Sequence, residues 1–164
     1  MDNGSNVIEE CRDDFALLIE AGFVAVKQLD EVSARRLFQA AQILHPDSSA
    51  PRIGIGYIAL NKLEMKEATK IFEEINAKEP ENHLAATFLG ICYVLSKPKR
   101  KKGEQMLDTI SKASDDPTIK HLCELSLVWA EKDLSKKDLG KSKAPFFANA
   151  SQADAPKEKK KKSS

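Results

Sequence analysis

The chain has 164 residues, a net charge of +1, 41% hydrophobic and 31% charged residues. That length suits one domain with a tail, and the composition is that of a globular chain with a helical bias. The near-neutral balance excludes a strongly basic nucleic-acid-binding domain, and three cysteines without a close pair exclude a disulfide scaffold and fit a reducing compartment.

Taken in order, Met1 to Ser5 carry no pattern and are expected to be disordered. The opening MDNGSNVIEECRDD has neither a positive region nor an apolar core, so no signal peptide is expected. A helix is predicted from near Asn6 to about Lys27. Asp30 is placed to N-cap the next helix, with Glu31 in its first turn. That helix carries Ala34, Leu37, Phe38, Ala41 and Leu44 three and four apart, which is one amphipathic face. Asp47, Ser48 and Ser49 form the following turn. Two short antiparallel helices are predicted next, Arg52 to about Asn61 and about Glu64 to Lys78. Gly56 lies inside the first, where glycine costs about 1 kcal/mol relative to alanine and so requires a packing reason. Ala68 and Phe72 share one face of the second, and Pro80 ends it. The longest apolar stretch, Leu84 to Leu95, is too short to span a bilayer.

A repeat underlies these elements. Gly22, Ala34, Phe38 and Pro46 recur 34 residues later as Gly56, Ala68, Phe72 and Pro80. Another 34 residues on, Leu89-Gly90 is followed by Tyr93. This period, with L-G-x-x-Y, A-x-x-x-F and a closing proline, resembles the tetratricopeptide pattern. The resemblance covers about Phe15 to Lys132. It implies an all-α fold, a right-handed solenoid of three helical hairpins (15–48, 49–82 and 83–116) with a C-terminal capping helix over 117–132. Residues 1–14 lead into it. In the third repeat the register slips, because Lys102 stands where a small residue belongs and Gly103 follows it. A one-residue insertion between the two helices is inferred, with Leu107 and Ile110 taking core places.

Asp116 and Pro117 form an N-cap and first-turn pair, and the helix after them is expected to bury Leu122, Leu125, Val128 and Trp129 over the open end of the last repeat. From Asp133 onward nine Lys face four Asp and Glu, giving +5 and leaving about −4 for the body. That Lys-rich segment, 133–164, lacks the apolar content to order itself. Phe146-Phe147 is its one aromatic pair.

No catalytic pattern emerges. His45, His83 and His121 stand apart from one another and make no metal-ligand spacing. Gly54-Ile55-Gly56 lacks the strand-to-helix context of a phosphate loop. No enzyme activity, cofactor, metal or small-molecule substrate is expected. Binding is the remaining class. The resemblance implies that the first helices of the repeats line a groove through Ala16, Ile19, Phe23 and Val26, then Ala50, Ile53, Tyr57 and Leu60, then Leu84, Thr87, Ile91 and Val94. All but Thr87 are apolar or aromatic. The packing positions of the same helices (Leu18, Ala21, Ala25, Ile55, Ala59, Leu89, Tyr93) are apolar too. These helices are therefore hydrophobic nearly all round, which calls for cover on every side. Repeat proteins that clamp a C-terminal carboxylate place Lys and Asn in the groove; Ile19, Phe23, Ile53 and Tyr57 stand there here.

In size, repeat number and groove character the chain is similar to the small chaperones of bacterial type III secretion. That resemblance implies a cytoplasmic protein holding a hydrophobic or amphipathic segment of a secreted subunit, with a second co-chaperone as a further partner. The short lead-in before the first repeat favours a needle subunit over a translocator. The alternative is a repeat scaffold in a larger assembly, with Lys97 to Lys102 as a localisation or weak nucleic-acid-binding signal and Lys159 to Lys162 as a second basic run. Removal of everything after Asp133 is expected to leave helical circular dichroism and the unfolding midpoint nearly unchanged. A large fall in the midpoint would show that the tail covers the groove.

Overall fold

In the computed structural model the described residues are 12–134, with side chains described over 14–132. The expectations for Met1 to Ser5, the helix start at Asn6, Cys11, and the tail beyond Leu134 with Phe146 and Phe147 lie outside them. Among the described residues there are seven α-helices and no strand: α1 (Arg12–Lys27), α2 (Glu31–Leu44), α3 (Ala50–Asn61), α4 (Met65–Lys78), α5 (His83–Leu95), α6 (Arg100–Ala113) and α7 (Pro117–Trp129). A short 3-10 turn, Lys97–Lys99, precedes α6, and a π turn, Ala130–Leu134, follows α7.

Local chemistry sets the boundaries. The side chains of Asp30, Asn82 and Asp116 accept from the backbone N–H groups of Ser33, Ala85 and Thr118, which caps α2, α5 and α7. Pro51 and Pro117 sit in first turns, where no N–H is missed. The connections within the first two helix pairs are near copies. Leu29 and Leu63 adopt φ of 63° and 60°. In each the next residue's N–H reaches five residues back, Asp30 to Ala25 O and Glu64 to Ala59 O, both at 2.9 Å. This two-bond helix stop normally uses glycine. Leucine pays about 1 kcal/mol for the left-handed backbone. The α5–α6 connection is one residue longer and has no left-handed residue. It is the inserted residue inferred from the repeat, and it brings Gly103 rather than Lys102 against α5.

The small residues have the role their spacing implied. A Cβ at Gly22 would fall 2.5 Å from Phe38 Cε1, and one at Gly56 would fall 2.7 Å from Phe72 Cζ. In the third pair, a Cβ at Gly90 would meet Leu107, and one at Gly103 would meet the backbone of α5. Phe38, Phe72 and Leu107 are each fully buried. Each helix packs chiefly on its neighbours in the chain, and α7 also reaches back across α6 to α5.

Two expectations need correction. On α7 the buried face is Cys123, Ser126 and Trp129, while Leu122 and Leu125 are half-buried and Val128 is 45% exposed. The cause is close approach: Cys123 Sγ lies 3.6 Å from Thr87 Oγ1 of α5, so small side chains face inward and the leucines turn to the flanks. Ala21, read as a packing position, is exposed, because it lies on a side of α1 that no described element covers.

By urea unfolding, Phe72→Ala is expected to cost about 3–5 kcal/mol through the cavity it leaves. Gly56→Leu is expected to cost about 1–3 kcal/mol through overpacking. Leu63→Gly is expected to gain about 1 kcal/mol by relieving the left-handed backbone; a loss there would show that the Leu63 side chain carries more packing than its 60% exposure implies.

Candidate functional site

The twelve residues assigned to the groove divide evenly. Ala16 is exposed, and Ile19, Phe23, Ala50, Tyr57 and Leu84 are half-buried. Val26, Ile53, Leu60, Thr87, Ile91 and Val94 are buried. The continuous apolar strip expected through Ile19, Phe23, Ile53, Tyr57, Ile91 and Val94 is therefore interrupted, since Ile53, Ile91 and Val94 belong to the domain's own core. The reason lies in α5. Ten consecutive residues of that helix, Ala85 to Val94, are buried, with α4, α6 and α7 packed around it. The all-round apolar character is satisfied there by the chain itself. At Thr87 the hydroxyl donates to His83 O at 2.7 Å, which removes the cost of burying it.

What stays open is the part of the wall formed by α1 and α3. Phe23 and Tyr57 have ring centroids 5.8 Å apart, and Tyr57 lies 5.2 Å from Phe88. Phe88 in turn stacks on Phe72 at 5.3 Å, and Phe23 meets Phe38 edge-on at 5.2 Å. Phe23 and Tyr57 thus join two apolar clusters, one around Phe38 and one around Phe72 and Leu107. Burial raises the Tyr57 hydroxyl above its usual range, so it stays neutral at physiological pH. The open wall offers shape and apolar area, with aromatic rings supplying most of both.

The reactive residue types sit elsewhere. Burial pushes the Cys92 thiol up to about 12 and raises Cys123 as well, so neither is a nucleophile near neutrality. His45 packs against the edge of Phe15 with centroids 4.5 Å apart. Among the described residues no group of three or more His, Cys, Asp or Glu could hold a metal, and no helix is long and apolar enough to cross a membrane.

The basic run Lys97 to Lys102 is folded rather than extended, half 3-10 turn and half first turn of α6. Tyr93 lies between Lys99 and Lys102, whose Nζ atoms are 4.6 and 5.0 Å from its ring centroid. Its hydroxyl donates to Glu73 at 2.6 Å, and Lys99 pairs with the same carboxylate at 3.2 Å. The Tyr93 hydrogen bond, then Lys99, hold Glu73 below the usual carboxylate range. The tyrosine itself is pushed up to about 12 by burial and by that carboxylate. Lys99 thereby ties the 3-10 turn to α4 and α5, and Lys102 ties the first turn of α6 to α5.

One surface was missed by sequence reasoning. Leu17, Leu18 and Ala21 of α1 line a groove with Ala40, Ile43 and Leu44 of α2. Its signal was present in the unmatched apolar residues Leu17 and Ile43, which no repeat position required.

Compared with protein-family models, with curated proteins and with solved structures, the chain matches none.

The raised thiol and phenol link to stability. Between pH 9 and 12 the unfolded chain gives up the Cys92 and Tyr93 protons while the folded chain keeps them. Stability contributed at these sites is therefore intact below about pH 9 and is lost as pH rises through that window. Urea midpoints measured across this range should fall less steeply for Cys92→Ala than for the parent chain.

Proposed function

We propose that the chain is a tetratricopeptide-like solenoid of three hairpins and a capping helix, and that it binds an apolar segment of another protein. Support for the architecture comes from packing that recurs with the sequence period: Gly22 under Phe38, Gly56 under Phe72, and Gly90 under Leu107. The observation that carries the binding function is the half-open aromatic pair Phe23 and Tyr57, flanked by Ala16, Ile19, Ala50 and Leu84. An uncharged wall of this kind suits one apolar face of an amphipathic helix. A charged terminus would lose its hydration there with nothing to replace it.

In biological terms this is a chaperone that keeps a secreted subunit from associating before export, with a type III needle subunit as cargo and a second co-chaperone as a further partner. Size and repeat number support that form of the reading. The scaffold alternative has one observation in its favour, the exposed Lys97 and Lys101. Against its localisation-signal version, an extended reading of that run would require unwinding α6 and breaking the Tyr93 contacts.

The test is a titration of the chain with a labelled amphipathic helical peptide bearing leucines at i, i+3, i+4 and i+7. Tyr57→Ala is expected to weaken binding by about 2 kcal/mol. Ile19→Glu should weaken it comparably, and added salt should change the affinity little. An affinity that collapses with salt while both variants bind normally would sink the apolar-wall reading and favour the basic run.

A further inference from the structure

The sequence period allows the two inter-repeat junctions to be compared residue by residue, with a step of 34 up to the inserted residue and 35 after it. At the first junction Arg52 of α3 pairs with Glu74 of α4. That hydrogen bond, with Lys70 and Lys78 close by, holds Glu74 below the usual carboxylate range. On the neighbouring α2, the side-chain amide of Gln42 donates to Pro46 O at 2.7 Å. The first junction is thus filled by its own charged side chains, and its amide is engaged.

The second junction has lost all of that charge. Arg52 is matched by Ala86, Lys70 by Gln105, Glu74 by Thr109 and Lys78 by Ala113. All four line an open cleft of about 390 Å³ between α4 and α6, over the first turns of α5. Its floor is apolar, with Ala86 and Ile110 buried and Met106 half-buried. Asn76, the match of Gln42, brings a side-chain amide from the α4 wall, and Gln105 brings one from the α6 wall. Among the described residues neither amide is hydrogen-bonded to another residue. A carboxamide offers both a donor and an acceptor, which is also what a peptide group offers. A charged occupant would lose hydration in this cleft and find no opposite charge in its lining.

We propose that this cleft takes an uncharged, extended segment of a partner protein, at a site separate from the aromatic wall of α1 and α3. Peptide groups of the segment pair with the amides of Asn76 and Gln105. One apolar side chain lies on Ala86, between Met106 and Ile110, in the place that Arg52 occupies one repeat earlier. Charge complementarity selects this occupant, since the matching cleft holds an ion pair and this one holds neutral donors and acceptors over an apolar floor.

Nuclear magnetic resonance of the full chain tests the proposal, with a capped uncharged alanine–leucine tetrapeptide as the probe. The side-chain amide signals of Asn76 and Gln105 are expected to shift and saturate together. A lysine in place of the leucine should weaken binding by about tenfold or more. Gln105→Ala, at an exposed site that the fold does not need, should weaken it by about fivefold through the lost hydrogen bond. The double variant Ala86→Arg with Thr109→Glu copies the first junction's ion pair into the second and should abolish these shifts with helical circular dichroism unchanged. Tyr57→Ala, which alters the aromatic wall, should leave the titration as it is. Unmoved amide signals, equal binding of the lysine peptide, or an undiminished titration in Gln105→Ala would each overturn the proposal.

Discussion

The structure depends on one contact, an aromatic ring laid against a helix that has no side chain beneath it. Phe38 of α2 meets Gly22 of α1 and Gly54 of α3 at once, so close to both that a Cβ at either would overlap the ring. Two backbone surfaces thus approach a single fully buried side chain, and that side chain fixes the spacing of three helices. Each glycine costs about 1 kcal/mol of helix propensity, and the burial of the ring offsets it. One pair later Phe72 lies on Gly56 in the same way, but the position matching Gly54 is Phe88, whose ring stacks on Phe72. The fit is kept with aromatic stacking in place of a second glycine.

This arrangement decides where apolar surface stays uncovered among the described residues. Beyond Phe72 the helices close up, and α5 becomes the central element, surrounded by α4, α6 and α7. Before it, α1 and α3 keep half of their aromatic wall uncovered, and the outer side of α1 and α2 keeps an apolar stripe. The buried thiols fall in the closed half, which is why burial rather than chemistry sets their pKa. The charged contacts among Glu73, Tyr93, Lys99 and Lys102 sit at the rim of the closed half and join its layers. At such exposure they are worth little individually.

Much of the fold could be read from the sequence because repeat spacing reports packing directly. Gly22 with Phe38, Gly56 with Phe72, the caps at Asp30 and Asp116, and the inserted residue before Gly103 all follow from period and local chemistry. Gly54 could not be read this way, since its partners at that spacing are Glu20 and Phe88. The site was legible only in part. Spacing places Ile53, Ile91 and Val94 on the same side of their helices as Phe23 and Tyr57, but it does not say how far α7 reaches over α5. That depends on Cys123 and Ser126 being small enough for close approach, a tertiary effect without a periodic signal. The open stripe on α1 was hidden for the opposite reason, because Leu17, Ala21 and Val24 look like ordinary core residues, yet all three are exposed among the described residues.

The most direct measurement of the central contact is a double-mutant cycle between Phe38 and Gly54. Gly54→Ala, Phe38→Leu and the double variant would be compared with the parent chain by urea unfolding. If the ring against the glycine sets the helix spacing, Gly54→Ala should be destabilising beside Phe38 and far less so beside leucine, with a coupling of about 1 kcal/mol or more. Additive effects within about 0.5 kcal/mol would contradict the account, because they would mean that the ring and the glycine do not hold each other in place.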